Sequence, residues 1–157
     1  PAPQACVLAH LGRTDVERGG LLIGDAFVDP STGAVNHVRI VDSVAADDAT
    51  ATGVSLRMAA AVWTLAGERL TAGRRIVGWY HSHPDLGAFF SWTDRQTQRS
   101  FFPHAYSVGC VVDPLRYESQ WFVGANCVPP AQVCYGLADG AAPIHGGAPT
   151  ISTLWTK

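Results

Sequence analysis

Arg75-Ile76-Val77-Gly78-Trp79-Tyr80-His81-Ser82-His83-Pro84 is the stretch on which the fold turns. Ile76, Val77, Trp79 and Tyr80 make residues 75–81 strongly β-like. The run ends on two histidines one residue apart and then on a proline, which cannot continue a hydrogen-bonded ladder. Successive strand side chains alternate faces, so His81 and His83 project to the same side if the strand runs through them. Two imidazoles placed in this way can converge on one ion. The loop 85–90, Asp-Leu-Gly-Ala-Phe-Phe, returns toward that point. Asp94 then falls in the first turn of a helix expected over 94–101, where the helix dipole favours a carboxylate. His81, His83 and Asp94 leave one position open, as a hydrolytic zinc site requires. Iron or manganese would also accept these donor types.

Working outward from this strand, residues 4–14 carry apolar positions at Cys6, Val7, Leu8 and Leu11, consistent with a short helix. Glu17 follows, just ahead of Gly19-Gly20-Leu21-Leu22-Ile23-Gly24, which reads as a short buried strand extended by 25–28. Asp29-Pro30-Ser31-Thr32-Gly33 has turn residues where turns want them, and 37–44 reads as a second strand that closes a hairpin. Residues 45–54 are small and polar, a loop. Over 55–70, Leu56, Ala59, Ala60, Trp63, Ala66, Gly67 and Leu70 recur at helical steps, and Gly73 ends the unit. Beyond the histidines, 106–112 is a buried strand closed by Asp113-Pro114, with shorter candidates at 120–123 and 133–137. No internal repeat is visible. The mixture of hairpins and helices predicts an α+β domain in mixed αβα layers over 1–137. Glycine, proline and small residues dominate 138–157, which read as a loosely held tail or linker.

Composition narrows the function classes. The chain has 157 residues, 47% hydrophobic and 15% charged, with a net charge of −2, which fits one folded domain with a proper core. No Lys/Arg cluster offers a footprint for nucleic acid or an anionic membrane, and no apolar run approaches a membrane span. No secretory signal is read at the N-terminus, which starts at Pro1 as a processed or excised chain would, so a cytosolic location is expected. Cys6, Cys110, Cys127 and Cys134 form no Cys-x-x-Cys pair and read as free thiols, although Cys127 and Cys134 could in principle pair across Pro129-Pro130.

Every candidate also has an ordinary reading. His-x-His arises often by chance. Ser91-Trp92-Thr93-Asp94 has the form of a helix capping box, with Ser91 or Thr93 as the cap and Asp94 supporting the first turn. Glu17 alone is a solvated acid at a helix end. His10, His37, His104 and His145 have no partner at ligand spacing. The joint occurrence of the set between strands is what favours a site.

Glu17-Arg18-Gly19-Gly20-Leu21-Leu22-Ile23-Gly24, then Gly78-Trp79-Tyr80-His81-Ser82-His83-Pro84, then Ser91-x-x-Asp94 together resemble the JAB/MPN family of JAMM metallopeptidases in its compact prokaryotic form. The resemblance covers residues 4 to about 137. It implies a cytidine-deaminase-like fold, a curved mixed sheet flanked by the helix of 55–70 and the one starting near Asp94. It implies that His81, His83 and Asp94 bind one zinc per chain with water as the fourth ligand. Glu17 would be the general base that becomes a general acid, and Ser91 would donate to the oxyanion. No acyl-enzyme is implied, so the cysteines are not nucleophile candidates.

The substrate implied by the resemblance is an amide or isopeptide bond after the extended C-terminal tail of a ubiquitin-like protein, held by strand addition. Phe89 and Phe90 are the nearest apolar contacts for that tail, or else anchors of their loop into the core. The connection 94–106 is short and 45–54 leaves room for only a small insertion, unlike eukaryotic deubiquitinating relatives. A bacterial ubiquitin-like system with E1- and E2-like partners is therefore the first expectation. Processing of a sulfur-carrier protein and a non-catalytic scaffold subunit are the alternatives; scaffolds of this kind usually lose a ligand or the glutamate. DNA-repair-associated relatives share the His-x-His-Pro window, but the Glu17 context and the lack of a basic patch count against them.

Overall fold

The hairpin predicted around Asp29 organises one side of the sheet. The structure, a computed structural model, describes residues 3–12, 16–46, 60–71, 73–135 and 150–153. Gly19–Val28 (β1) pairs antiparallel with Val35–Ala45 (β2). Between them Asp29 Oδ1 accepts hydrogen bonds from Ser31 N, Ser31 Oγ and Thr32 N at 2.8, 2.6 and 3.1 Å, an Asx turn that fixes the reversal.

Arg75–Ser82 (β3) lies antiparallel on the other edge of β1, with Gly19 opposite His81. The ladder steps from Leu22–Gly78 to Ile23–Ile76, so Val77 is an extra residue on β3. This bulge inverts the alternation beyond it. Val77 and Tyr80 pack on one face of the sheet, whereas Trp79 packs on the other, which His81 shares by alternation. At Gly78 a Cβ would overlap the carbonyl oxygen of Val108, so only glycine permits this close approach of β3 to its neighbour.

That neighbour is Val108–Asp113 (β4), parallel to β3 and reached through the helix Trp92–Phe101 (α3). Glu118–Val123 (β5) returns antiparallel to β4. On the far side, Thr150–Thr153 (β7) runs parallel to both β2 and Gln132–Tyr135 (β6), giving the order β5-β4-β3-β1-β2-β7-β6. The sheet thus takes in residues that composition assigned to the tail 138–157. Thr150-Ile151-Ser152-Thr153 is β-branched at three of its four positions, a strand signal masked by the surrounding glycines and prolines.

Helices cover both faces. Pro3–Leu11 (α1) contributes Val7 and Leu11 to a cluster with Leu22, Val38, Ile40, Val77, Tyr80 and Val108. Ala60–Glu68 (α2) and the end of α3 cover the opposite face with Val62, Ala66 and Phe102, against Leu21, Ile23, Val44, Trp79, Val111 and Phe122. The layers are αβα, as expected. The inward face of α2 is Val62 and Ala66 with Trp63 beside them, whereas Ala60, Gly67 and Leu70 are exposed. Small residues carry too little periodic signal to have fixed that face, and residues 55–59 lie outside the described ones. Cys6, Cys110 and Cys127 are free thiols. Among the described residues no helix is long and apolar enough to cross a membrane.

Candidate metal centre

The end of β3 and the start of α3 build the site. His81 closes the strand, and His83 is turned into line by its backbone N–H, which donates to Val112 O at 3.0 Å. Ser91 is the N-cap of α3 in extended conformation, and the capping box is complete. Asp94 N donates to Ser91 Oγ at 3.2 Å, and Ser91 N donates to Asp94 Oδ2 at 2.7 Å. The capping reading of these two residues therefore holds together with their place in the site. The reciprocal bonds fix the Asp94 carboxylate at the helix start, where the dipole stabilises it.

His81 Nε2 lies 3.1 Å from His83 Nε2 and 3.3 Å from Asp94 Oδ1, and His83 Nε2 is 3.5 Å from Asp94 Oδ2. Donors about 2.0–2.1 Å from a tetrahedral zinc stand about 3.3–3.4 Å from one another, so the two nitrogens and the carboxylate fit one ion. All three residues are buried, and among the described residues they form the one such group. Burial opposes ionisation of Asp94, but hydrogen bonds with His81 and His83 and the positive charge at His81 outweigh it and hold its carboxyl far below the ordinary carboxylate range. At His83, burial likewise opposes the charged form; the hydrogen bond and charge of Asp94, with the charge of Glu17, turn the net shift upward. The local field favours a cation.

Glu17 is half-buried and lines the same pocket as His81, His83, Leu86, Phe89, Ser91 and Asp94, a cleft of about 120 Å³. The five residues picked out in the sequence are brought together here. The two phenylalanines part company. Phe89 is 49% exposed, with its ring edge-on to His83 at 5.2 Å. Phe90 is 4% exposed and stacks on Phe122 at 4.1 Å, so it anchors the loop in the core, and the expectation that it contacts substrate is corrected. Leu86, 58% exposed, lies on the wall of the same pocket.

The His81 imidazole is not oriented through Nδ1, which is buried without a hydrogen-bond partner among the described residues. His81 is held by stacking: its ring lies 4.6 Å from Trp79, 7° from parallel, and 5.9 Å from Phe90. Trp79 is fixed in turn by Gln98, a fully buried residue of α3 whose Oε1 accepts from Trp79 Nε1 at 2.7 Å. The sequence reading missed Gln98. The one signal for it is that α3 contains no aliphatic residue, so part of its buried face had to be polar.

A second missed residue is Asp113, at the end of β4. Its buried carboxylate accepts backbone N–H bonds from Gly87 at 2.7 Å, Leu115 at 2.9 Å, Arg116 at 3.1 Å and Asp85 at 3.2 Å. It thereby ties the loop after His83 to the β4–β5 turn. Burial alone would raise the Asp113 pKa, but the four N–H donors win and bring it to about 2. A depressed carboxylate adds stability above its unfolded pKa of about 3.9 and loses it as pH falls toward the folded value. Acidification from pH 4 to about 2 should therefore loosen this loop. Asp113→Asn should unfold at lower urea than wild type at pH 7, and its midpoint should change less across that acid window. Urea midpoints at pH 7 and at either end of the acid window check both.

Comparison with known proteins places the chain in a family. The family model described as prokaryotic homologs of the JAB domain matches residues 4–123. The 26S proteasome regulatory subunit rpn11 of Schizosaccharomyces pombe is 40% identical over 110 residues, 66% of this chain and 33% of that protein. The ubiquitin carboxyl-terminal hydrolase RPN11 of Saccharomyces cerevisiae is 38% identical over 117 residues, 70% of this chain and 36% of that one. The NAD(+) hydrolase TcpA of a Theionarchaea archaeon is 32% identical over 105 residues, 66% of this chain and 29% of that one. The chain spans about a third of the length of these curated relatives. With the family model matching most of its length, this chain belongs to the prokaryotic homologs of the JAB domain.

Proposed function

We propose that the chain is a zinc-dependent isopeptidase or peptidase that cleaves the amide bond after the C-terminus of a ubiquitin-like protein. The observation that carries the reading is Glu17 in one cleft with His81, His83, Asp94 and Ser91, a carboxylate beside the donor set and outside it. Ubiquitin carboxyl-terminal hydrolase activity in the name of a relative supports the substrate class.

Zinc bound by His81, His83 and Asp94 would polarise the attacking water and the scissile carbonyl. The carboxylate of Glu17 takes a proton from that water as its oxygen bonds to the carbonyl carbon. Glu17 then gives the proton to the amine nitrogen as the C–N bond breaks, leaving a free amine and a carboxylic acid that loses its remaining proton to solvent. Ser91 Oγ accepts the Asp94 N–H through a lone pair, so its own proton is free to donate to the developing oxyanion. Leu86 and Phe89 offer an apolar wall to an extended tail.

A bacterial ubiquitin-like protein with E1- and E2-like partners, in the cytoplasm, is the setting this reading favours. The domain assigned to the activity is 1–137 together with the β7 segment. Processing of a sulfur carrier would use the same chemistry, and the complete donor set with Glu17 weighs against a pure scaffold. The test is metal analysis combined with cleavage. Purified protein should carry about one zinc per chain, and it should release aminomethylcoumarin from the C-terminal coumarin amide of ubiquitin or of a bacterial ubiquitin-like protein. Activity should vanish with chelation and return with zinc. Folded protein that binds no zinc, or that releases nicotinamide from NAD+ through Glu17 instead of cleaving amides, would overturn the reading.

A further inference from the structure

Proton transfer by Glu17 needs its carboxylate at a fixed distance from the donor set, yet Glu17 lies two residues ahead of β1, outside the ladder. We propose that Ser82, the residue between the two histidines, is the positioning residue for Glu17; the inference rests on the reading of Glu17 as the proton acceptor. Ser82 is 0% exposed, and strand alternation turns it away from the side of His81 and His83, so it is not a ligand. Its backbone N–H donates to Arg18 O at 2.8 Å, and its Oγ accepts from Arg18 N at 3.0 Å. One residue therefore engages both backbone polar groups of Arg18.

The second bond is the unusual one. In a continuing antiparallel ladder a backbone carbonyl would meet the Arg18 N–H. Here the chain leaves the ladder after Ser82, because His83 N turns to Val112 O at 3.0 Å. The hydroxyl replaces the missing carbonyl at the point where β3 departs. The N–H it accepts belongs to the Glu17–Arg18 peptide, so Ser82 fixes the plane from which the Glu17 side chain springs. A serine between the histidines thus lets one strand end serve two purposes, ligands on one side and the Glu17 peptide on the other.

The experiment compares zinc-loaded wild type with Ser82→Ala in the full chain. Displacement of a reacting group by an ångström costs about 10²-fold, so kcat on the ubiquitin coumarin amide should fall about 10–100-fold with KM unchanged. Zinc affinity should stay within about threefold, where loss of a ligand's support would cost about 10–100-fold. Amide exchange at Arg18 should quicken about tenfold or more, a readout independent of activity. Glu17→Ala combined with Ser82→Ala should be no slower than Glu17→Ala alone, because both act through one group. If Ser82→Ala fails to fold, Ser82→Cys, near-isosteric with a weaker acceptor, takes its place and should give the same pattern with smaller effects. Wild-type kcat in the Ser82 variant beside an inactive Glu17→Ala, or zinc lost in step with activity, would overturn the proposal. An active Glu17→Ala would overturn the assignment of Glu17 itself, and Arg18 exchange would then decide separately whether Ser82 holds this peptide.

Discussion

Glu17→Ala should reduce amide cleavage on the order of 10²–10⁴-fold while zinc content stays at the wild-type level. The separation follows from geometry: Glu17 lines the cleft but stands outside the group of converging donors. Glu17→Gln, which keeps the size and polarity but cannot take a proton, should be as slow as Glu17→Ala. The contrasting variant is Asp94→Asn. Its side chain would present an amide NH₂ where one of the two carboxylate oxygens now meets an imidazole nitrogen at 3.3 or 3.5 Å, so zinc and activity should fall together. It should also weaken the start of α3, because the N3 carboxylate closes the capping box, and such caps contribute about 1 kcal/mol. Metal analysis, steady-state kinetics and thermal melts on the three proteins separate these effects. Cleavage by Glu17→Gln near the wild-type rate would remove Glu17 from the chemistry; zinc retained by Asp94→Asn at full activity would remove Asp94 from the ligands.

These residues were legible in the sequence because metal and capping chemistry impose short, fixed spacings. His81 and His83 sit at strand alternation and Asp94 at a helix start, and both spacings survive any detail of packing. The β1–β2 hairpin was equally legible, since Asp29 and Gly33 announce their turn. Other features depended on contacts that a linear pattern does not encode. The bulge at Val77 decides which face Trp79 and His81 share, and nothing in Ile76-Val77-Gly78 marks it except the glycine. Phe89 and Phe90 are adjacent in a loop without periodicity, so only the packing of Phe122 shows that the second turns inward. β7 is four residues long and owes its place to β2 and β6 on either side, the first of these a pairing made across most of the chain. Asp113 looked like a turn residue before proline; its capture of two N–H groups from 85–87 is a tertiary event.

Gln98→Ala is expected to destabilise the domain by about 2–4 kcal/mol, more than most single substitutions. Gln98 is 0% exposed, and its amide fills a gap between three elements. Oε1 accepts from Trp79 Nε1 at 2.7 Å, while Nε2 lies 3.4, 3.4 and 3.3 Å from the carbonyl oxygens of Phe102, Ser107 and Gly124. Truncation strands a buried indole N–H and removes the donor facing those carbonyls, besides leaving a cavity. Gln98→Leu separates the two costs, because leucine fills most of the volume and restores none of the hydrogen bonds. If the polar connections dominate, Gln98→Leu should stay well below wild type in urea midpoint and close to Gln98→Ala; a midpoint equal to wild type would show that Gln98 serves only as filler. The loss should also reach the metal centre. Trp79 stacks on His81 at 4.6 Å, and the buried Nδ1 of His81 has no hydrogen-bond partner among the described residues to hold the ring instead. Freeing the indole therefore loosens the imidazole, and zinc affinity in Gln98→Leu should drop about tenfold, the scale seen when a ligand loses its outer support. Competition with a chelator measures that drop on folded protein, independently of any substrate.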